Sequence, residues 1–539
     1  MLSLPLNLPS AASLATVRRQ SIGLAVLALV LFTLGNVDQT TIGFDSRFMV
    51  FAQEMLRHGP SFFPTTYGEP YPDYSATSTF FVYLLSLPLG RVTSLTAWLP
   101  TAIASAVLVG LMYRLVAAYS RQWALLSVAL LLLSSTFITE TRAISLDQML
   151  ATVSFAVFYL GYAADHFGAR RRTGLLLALL VLGFAIRGPI GLVVPTGMLC
   201  SYYLLSGQWR RMFMFGLQAV ALLAVCIGVL LLLAKVSGGQ DFLNEVVRMQ
   251  FTSRMDGSEG KSSLFYYFSS SLGNYALAYP VAIVSLVAIA LLGRQPLTPA
   301  LRLVMFVAAA GLIVMVGLSI PQAKKARYML PMVPMAAIIA AYPFQALDGR
   351  LYAWLRGLLQ GLFLLTPSAL IAGLLFAQHR IAEHLASIGV ITSVLVLLQV
   401  IAVAVLFKAQ WRAASLAACA VLALWMTFIW EYEPLERAAY DTRSFTAAVQ
   451  DIIQRDPAPI ALYAMPKDGK AIKFVVNFPQ DLKPTFLETP TELAAVQGPV
   501  YVVIAKTVYQ ELPDSRLAAS PVLLSSRFDK DDYLLFRLP

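Results

Sequence analysis

Residues 173–206 read TGLLLALLVLGFAIRGPIGLVVPTGMLCSYYLLS. More than thirty residues pass with one charge, and that charge stands in the triplet Arg187-Gly188-Pro189. A bilayer core of ~30 Å takes about 20 helical residues, fewer where helices are broken or lie against protein. Pro189 removes a backbone donor and Gly188 frees the turn, so the stretch reads as two membrane helices joined by a tight hairpin. Apolar runs of this kind recur from about residue 21 to 430, which makes the chain a polytopic α-helical membrane protein. Its composition agrees: 58% of the 539 residues are hydrophobic, 13% are charged, and the mean hydropathy is +0.70. Soluble domains carry about 25% charged residues. A water-soluble enzyme, a disordered chain and a chain with only one or two anchors are therefore excluded.

Candidate spans lie near 21–38, 97–118, 122–138, 148–165, 173–187, 189–206, 212–235, 275–293, 301–320, 328–346, 356–377, 387–407 and 413–430. The apolar run Ser78–Gly90 is too short to be assigned on length, and parity decides it. If that run does not cross, Arg18-Arg19, Arg114, Arg121, Arg170-Arg171-Arg172, Arg210-Arg211, Arg294, Arg302, Arg350, Arg356, Lys408 and Arg412 all fall inside. If it crosses, the later clusters move outside, against the positive-inside rule. We therefore expect about 13 spans, an inside N-terminus, an outside C-terminus, and interfacial helices in the first outer loop. The net charge of +11 belongs to this pattern rather than to nucleic-acid binding. Arg18-Arg19 precedes a long apolar stretch with no small-residue cleavage site, so it reads as a retained first span. Cys200, Cys226 and Cys419 lie in apolar runs and offer neither a disulfide framework nor a metal motif. After Trp430, short apolar runs at 460–463, 474–476, 501–504 and 533–536 follow a helical stretch at 443–454. The expected organisation is a membrane domain, 1–430, with its first outer loop at 39–96, and a small outer α/β domain, 431–539.

This topology gathers polar residues on the outer side. Asp45, just past the first span, suits a general base, because partial desolvation raises a carboxylate pKa and the nearby Arg47 limits the rise. A helix N-cap is the plainer alternative, and it applies equally to Asp147 at the start of the fourth span. Arg187, at the hairpin turn, either snorkels or binds phosphate. Lys324, Lys325 and Arg327 crowd an outer helix end at headgroup depth, where phosphate recognition is the stronger reading. Asp73, Glu245 and Lys261 fall on the same side. His58, His166, His379 and His384 are scattered without zinc-like spacing. Oxygen ligands around Asp45 or Asp147 would suffice for a divalent cation, Mg or Mn, so no cofactor is assigned and the metal stays an open question.

These residues resemble a family. Ala185–Leu192 through Pro195, Ser319–Pro334, Asp45-Ser46-Arg47-Phe48 with Glu54-Met55 and Gly59, Leu146-Asp147, and Lys261 with Phe265-Tyr266-Tyr267 are similar to the motifs of the aminoarabinose transferase and protein O-mannosyltransferase group. These are integral membrane glycosyltransferases of the GT-C fold. Arg187 stands where relatives carry Lys, Ser46 where many carry a second acid, Gly260 where they carry His, and Pro72-Asp73-Tyr74 where aminoarabinose transferases have Lys-Pro-Pro.

The resemblance implies transfer of a hexose or pentose, with inversion, from a polyprenyl-phosphate donor to a lipid A, polysaccharide or protein acceptor. The reaction would take place at the periplasmic face of a bacterial inner membrane. Asp45 and Asp147 would be catalytic. Arg187, Lys261, Lys324, Lys325 and Arg327 would hold the donor phosphate, and Arg47, Asp73, Tyr74, Glu245 and Tyr328 would bind substrate. The rival readings are a lipid-linked sugar flippase, for which no repeated halves are visible, and an acceptor-binding assembly subunit without activity.

Overall fold

The computed structural model describes residues 11–256, 260–291, 297–346, 348–381, 388–512 and 516–539. Arg294, His384 and the His379 side chain lie outside them. Two compact units emerge. One joins residues 1–35, 72–78 and 98–430, and the other joins 36–71, 79–97 and 431–539.

The first unit is a helical membrane body. Among the described residues, seven helices are long and apolar enough to cross a bilayer, or up to nine if two bent pairs each count as one span. Helices Leu146–His166, Thr173–Arg187 and Pro189–Leu205 pack on one another, and the last two are short apolar helices. On Trp209–Val247, Phe213, Val220 and Leu232 are each more than 60% exposed, as side chains facing acyl chains are. That helix is broken at Gly238 and Gly239, where Gly239 has φ 74°. Its helical continuation to Val247 extends into the segment expected as a loop.

An apolar interior leaves no water for freed backbone groups, so each break needs an internal partner. Helices Arg121–Leu132 and Ser135–Thr141 meet at a 73° bend. The Leu132 carbonyl at that bend accepts from Trp425 Nε1 at 2.9 Å, and the Ile338 carbonyl accepts from Trp123 Nε1 at 2.8 Å. Both indoles are buried, so each supplies packing area and one directed N–H.

In the second unit, helix Asp45–His58 and the two-residue strands β1 (Thr65–Thr66) and β2 (Glu69–Pro70) belong with the C-terminal sheet. Strands β3 (Ile460–Tyr463), β4 (Thr485–Leu487), β5 (Val500–Ala505), β6 (Val522–Phe528) and β7 (Asp531–Leu538) lie in the order β4-β3-β5-β7-β6. The first three are parallel and the last two antiparallel. Burial of every residue of β3 and all but the last of β5 marks central strands covered on both faces. Phe474–Val476, expected as a strand, instead closes helix Lys470–Val475, because Ala471, Ile472, Phe474 and Val475 turn to the core at helical spacing.

The loop helix is tied to this domain through backbone carbonyls. Gln53 Nε2 donates to Val476 O at 3.0 Å, and Arg57 donates to Phe478 O and Pro479 O. Asp529, with φ 57°, is buried and paired at 2.9 Å with Lys473. Lys473→Met leaves that carboxylate uncompensated, and we expect a loss of about 3 kcal/mol, near the low end for a broken buried pair. Thermal unfolding of the full chain checks this.

Candidate functional site

At one end of the first unit a carboxylate is held by two guanidiniums. Asp147 Oδ1 lies 2.8 Å from Arg187 Nε, and Oδ2 lies 3.1 Å from Arg327 Nε. Asp147 and Arg187 are buried, while the Arg327 side chain stays 24% exposed. The Tyr328 ring stands 5.1 Å below the Arg187 guanidinium, a cation–π distance.

The capping alternative for Asp147 falls away, because Ser145 Oγ accepts from Gln148 N and takes that role. Asp147 sits instead in the first turn, where the helix dipole favours an anion. Burial works against the charge on Arg327, but the Asp147 and Glu140 carboxylates outweigh it and hold its pKa above the usual arginine value. The directly paired trio sets one carboxylate against two guanidiniums, with Glu140 acting on Arg327 from farther off, so the trio itself carries a net positive charge. That suits an anionic ligand and does not fit a divalent cation at Asp147. Among the described residues, no group of three or more His, Cys, Asp or Glu side chains is gathered for a metal.

Backbone contact sets the position of Arg187. Gly188 adopts φ 65°, ψ −150°, a conformation that favours glycine, and turns helix Thr173–Arg187 directly into Pro189–Leu205. The two helices then touch main chain to main chain. A Cβ on Gly191 would lie 1.8 Å from Gly183 O, and one on Gly183 would lie 2.1 Å from Gly191 O.

Beside Arg187, a cavity of about 30 Å³ is lined by Asp73, Tyr74, Ser75, Phe184, Leu230 and Gln250, among others. It is water-sized. Ser75 Oγ donates to Ala185 O, and Gln250 Nε2 donates to Pro72 O at 3.2 Å. Gln250 lies on a π-helical turn, Arg248–Thr252, a feature frequent at functional sites. Reading the sequence missed Ser75 and Gln250, since single polar residues outside any motif carry no signal of their own.

The basic segment is partly assembled. Ser262 N donates to Gln322 O at 3.3 Å and Lys324 Nζ donates to Ser262 O at 3.3 Å, which brings the stretch beginning at Lys261 beside Lys324 and Lys325. Tyr275 Oη donates to Ala326 O at 2.7 Å and anchors the approach to Arg327. Glu245 is drawn off by Arg248, which pairs with it three residues on, and this pair is exposed.

Asp45 and Arg47 belong to the second unit. Asp45 is the first residue of its helix and half-buried, while Phe44 occupies the cap position without a side-chain bond. Arg47 donates to Asp468 O at 2.6 Å and lies 5.1 Å from the Tyr71 ring centre. Glu54, also buried, accepts from Gly68 N at the β1–β2 turn.

In the first unit, Arg142 donates to Phe32 O at 3.0 Å and Leu34 O at 2.8 Å. Leu34 and Pro72, both of this unit, thus lie at its Asp147 end.

This architecture is the GT-C fold of membrane glycosyltransferases. It is similar to the structures of ArnT from Cupriavidus metallidurans, one bound to undecaprenyl phosphate (TM-score 0.70) and one in the apo state (TM-score 0.71). Each matches at 18% identity over 98% of both chains. Residues 22–237 match the family described as dolichyl-phosphate-mannose-protein mannosyltransferase. No curated protein matches the chain.

Proposed function

We propose that the chain transfers a sugar, with inversion, from a polyprenyl-phosphate donor to a lipid, polysaccharide or protein acceptor at the periplasmic face of a bacterial inner membrane. The observation that carries this reading is the Arg187–Asp147–Arg327 cluster, with Asp147 and Arg187 buried. It is a preorganised positive site at one end of a helical membrane body, aimed where charge develops on a departing phosphate. The fold shared with a protein solved bound to undecaprenyl phosphate supports the donor class.

The acceptor hydroxyl attacks the anomeric carbon, the bond from that carbon to phosphate oxygen breaks, and the electron pair leaves on polyprenyl phosphate. Asp45 takes the acceptor proton. Arg187 and Arg327 hold the phosphate oxygens by their remaining N–H groups, and Lys261, Lys324 and Lys325 add charge around them. Asp147 aligns the two guanidiniums. Tyr74, Asp73 and Tyr328 line the sugar side, and the apolar wall next to Ser78–Gly90 holds the prenyl chain. Thirteen crossings put this end of the membrane body outside.

Asp45→Asn should lower the release of polyprenyl phosphate by roughly 10²–10⁴-fold, the usual worth of a general base, with unchanged thermal unfolding. A flippase would instead translocate the sugar lipid in vesicles as well in the Asp45→Asn variant as in wild type, and that outcome would replace this reading.

A further inference from the structure

The opposite end of the same helices holds a second polar cavity. Asp147 opens helix Leu146–His166 and Asp165 closes it, eighteen residues later, about 27 Å along the axis at 1.5 Å per residue. Around Asp165, a cavity of about 160 Å³ is lined by Arg114, Tyr159, Arg170, Arg171, Arg172 and Tyr203, among others. Four arginines against one aspartate leave the lining strongly positive.

The aspartate is already fully engaged. Asp165 accepts from Tyr202 Oη at 3.0 Å, Gln208 Nε2 at 2.9 Å, Arg171 at 2.9 Å and Arg211 at 3.1 Å. It ties three chain segments together and fixes the floor of the cavity. Among the described residues, Arg170 and Arg172 form no ion pair, and Arg114 lies over the Tyr159 ring at 5.7 Å. These guanidiniums offer forked donors to an anion.

The surroundings say which anion. Trp209, next to Gln208, is 61% exposed, as an aromatic at the membrane–water interface is. Leu175 and Leu204, which neighbour the lining residues Leu176 and Tyr203 in sequence, and Leu205 are each 40% exposed at this end of their helices, apolar surface suited to an acyl chain. Basic pockets between membrane helices on the inner side bind phosphate headgroups.

We propose that this cavity binds the phosphodiester headgroup of an anionic phospholipid. The site is separate from the Arg187 cluster and independent of the reaction assigned to it. Free phosphate shares the recognition chemistry but would make no use of the apolar flank.

The test uses the full chain in nanodiscs of phosphatidylglycerol or phosphatidylcholine, and in detergent with inorganic phosphate, reading retained ligand by native mass spectrometry. Wild type should retain phosphatidylglycerol over phosphatidylcholine. The double variant Arg170→Ala/Arg172→Ala should weaken that retention by roughly tenfold or more, since it removes two charged, forked donors. Ala169→Glu, which places a carboxylate in the lining, should do the same. Arg350→Ala/Lys408→Ala, which removes equal charge elsewhere, should not. Equal retention of the two lipids, or retention untouched by both cavity variants, overturns the proposal. Capture of inorganic phosphate without lipid preference also overturns it and assigns the cavity to a soluble anion.

Discussion

Asp147→Asn should reduce turnover by at least about 10² while leaving the donor KM unchanged or lower. The carboxylate is proposed to align the guanidiniums rather than to bind substrate. It holds Arg187 by one oxygen and Arg327 by the other, at 2.8 and 3.1 Å. Removing its charge raises the net charge of the cluster, so an anionic donor is attracted at least as strongly. The two guanidiniums then repel one another and lose their alignment on the leaving phosphate, where a misplacement of about 1 Å can cost 10²-fold.

Stability should fall as well. Breaking a buried pair costs about 3–5 kcal/mol because charge is left uncompensated, and a lower thermal midpoint in detergent reports it. A kcat equal to wild type would remove the cluster from the mechanism. A large rise in donor KM with kcat intact would make Asp147 a binding residue instead.

Gly191→Ala should be the most damaging small substitution in the membrane body. The added methyl would stand 1.8 Å from Gly183 O and 2.4 Å from Gly183 C, both backbone atoms, so no rotamer can relieve it. Small residues let membrane helices approach this closely, and here the approach positions the Arg187 turn. The helices must separate, at about 3 kcal/mol or more, the upper range for an overpacked core.

Gly183→Ala should behave similarly, with 2.1 Å to Gly191 O. Two other glycines on the same helices serve as controls. Gly174 has nothing within 4 Å of its Cβ position, and Gly197 meets only Ile313 at 3.6 Å, so alanine at either should unfold and turn over as wild type does. Thermal unfolding and turnover of the four variants, measured side by side, decide the point.

The hairpin that governs this geometry was legible in the sequence, because Pro189 and Gly188 act locally on the main chain. The position of Arg327 at a helix end was legible for the same reason. The engagement of Asp147 by both arginines was not, since it joins three segments that are distant in sequence, and no spacing rule encodes that meeting. Likewise, the Gly183–Gly191 contact spans a turn whose tightness only the folded chain shows. Phe474–Val476 misled because a short apolar run fits a strand and a buried helical turn equally well. The association of residues 36–71 with 431–539 rests on side chains such as Gln53 and Arg57 reaching carbonyls more than 400 residues away. Such contacts leave no local pattern.

A transferase consumes a lipid-linked sugar and releases its lipid phosphate. The most direct measurement incubates the purified chain with a total lipid extract containing polyprenyl-phosphate sugars. Candidate acceptors are added in turn, and free polyprenyl phosphate is followed by mass spectrometry. Release should depend on one acceptor class, with equal amounts of glycosylated acceptor formed. Intact donor with every acceptor, alongside donor translocation in vesicles, would contradict it.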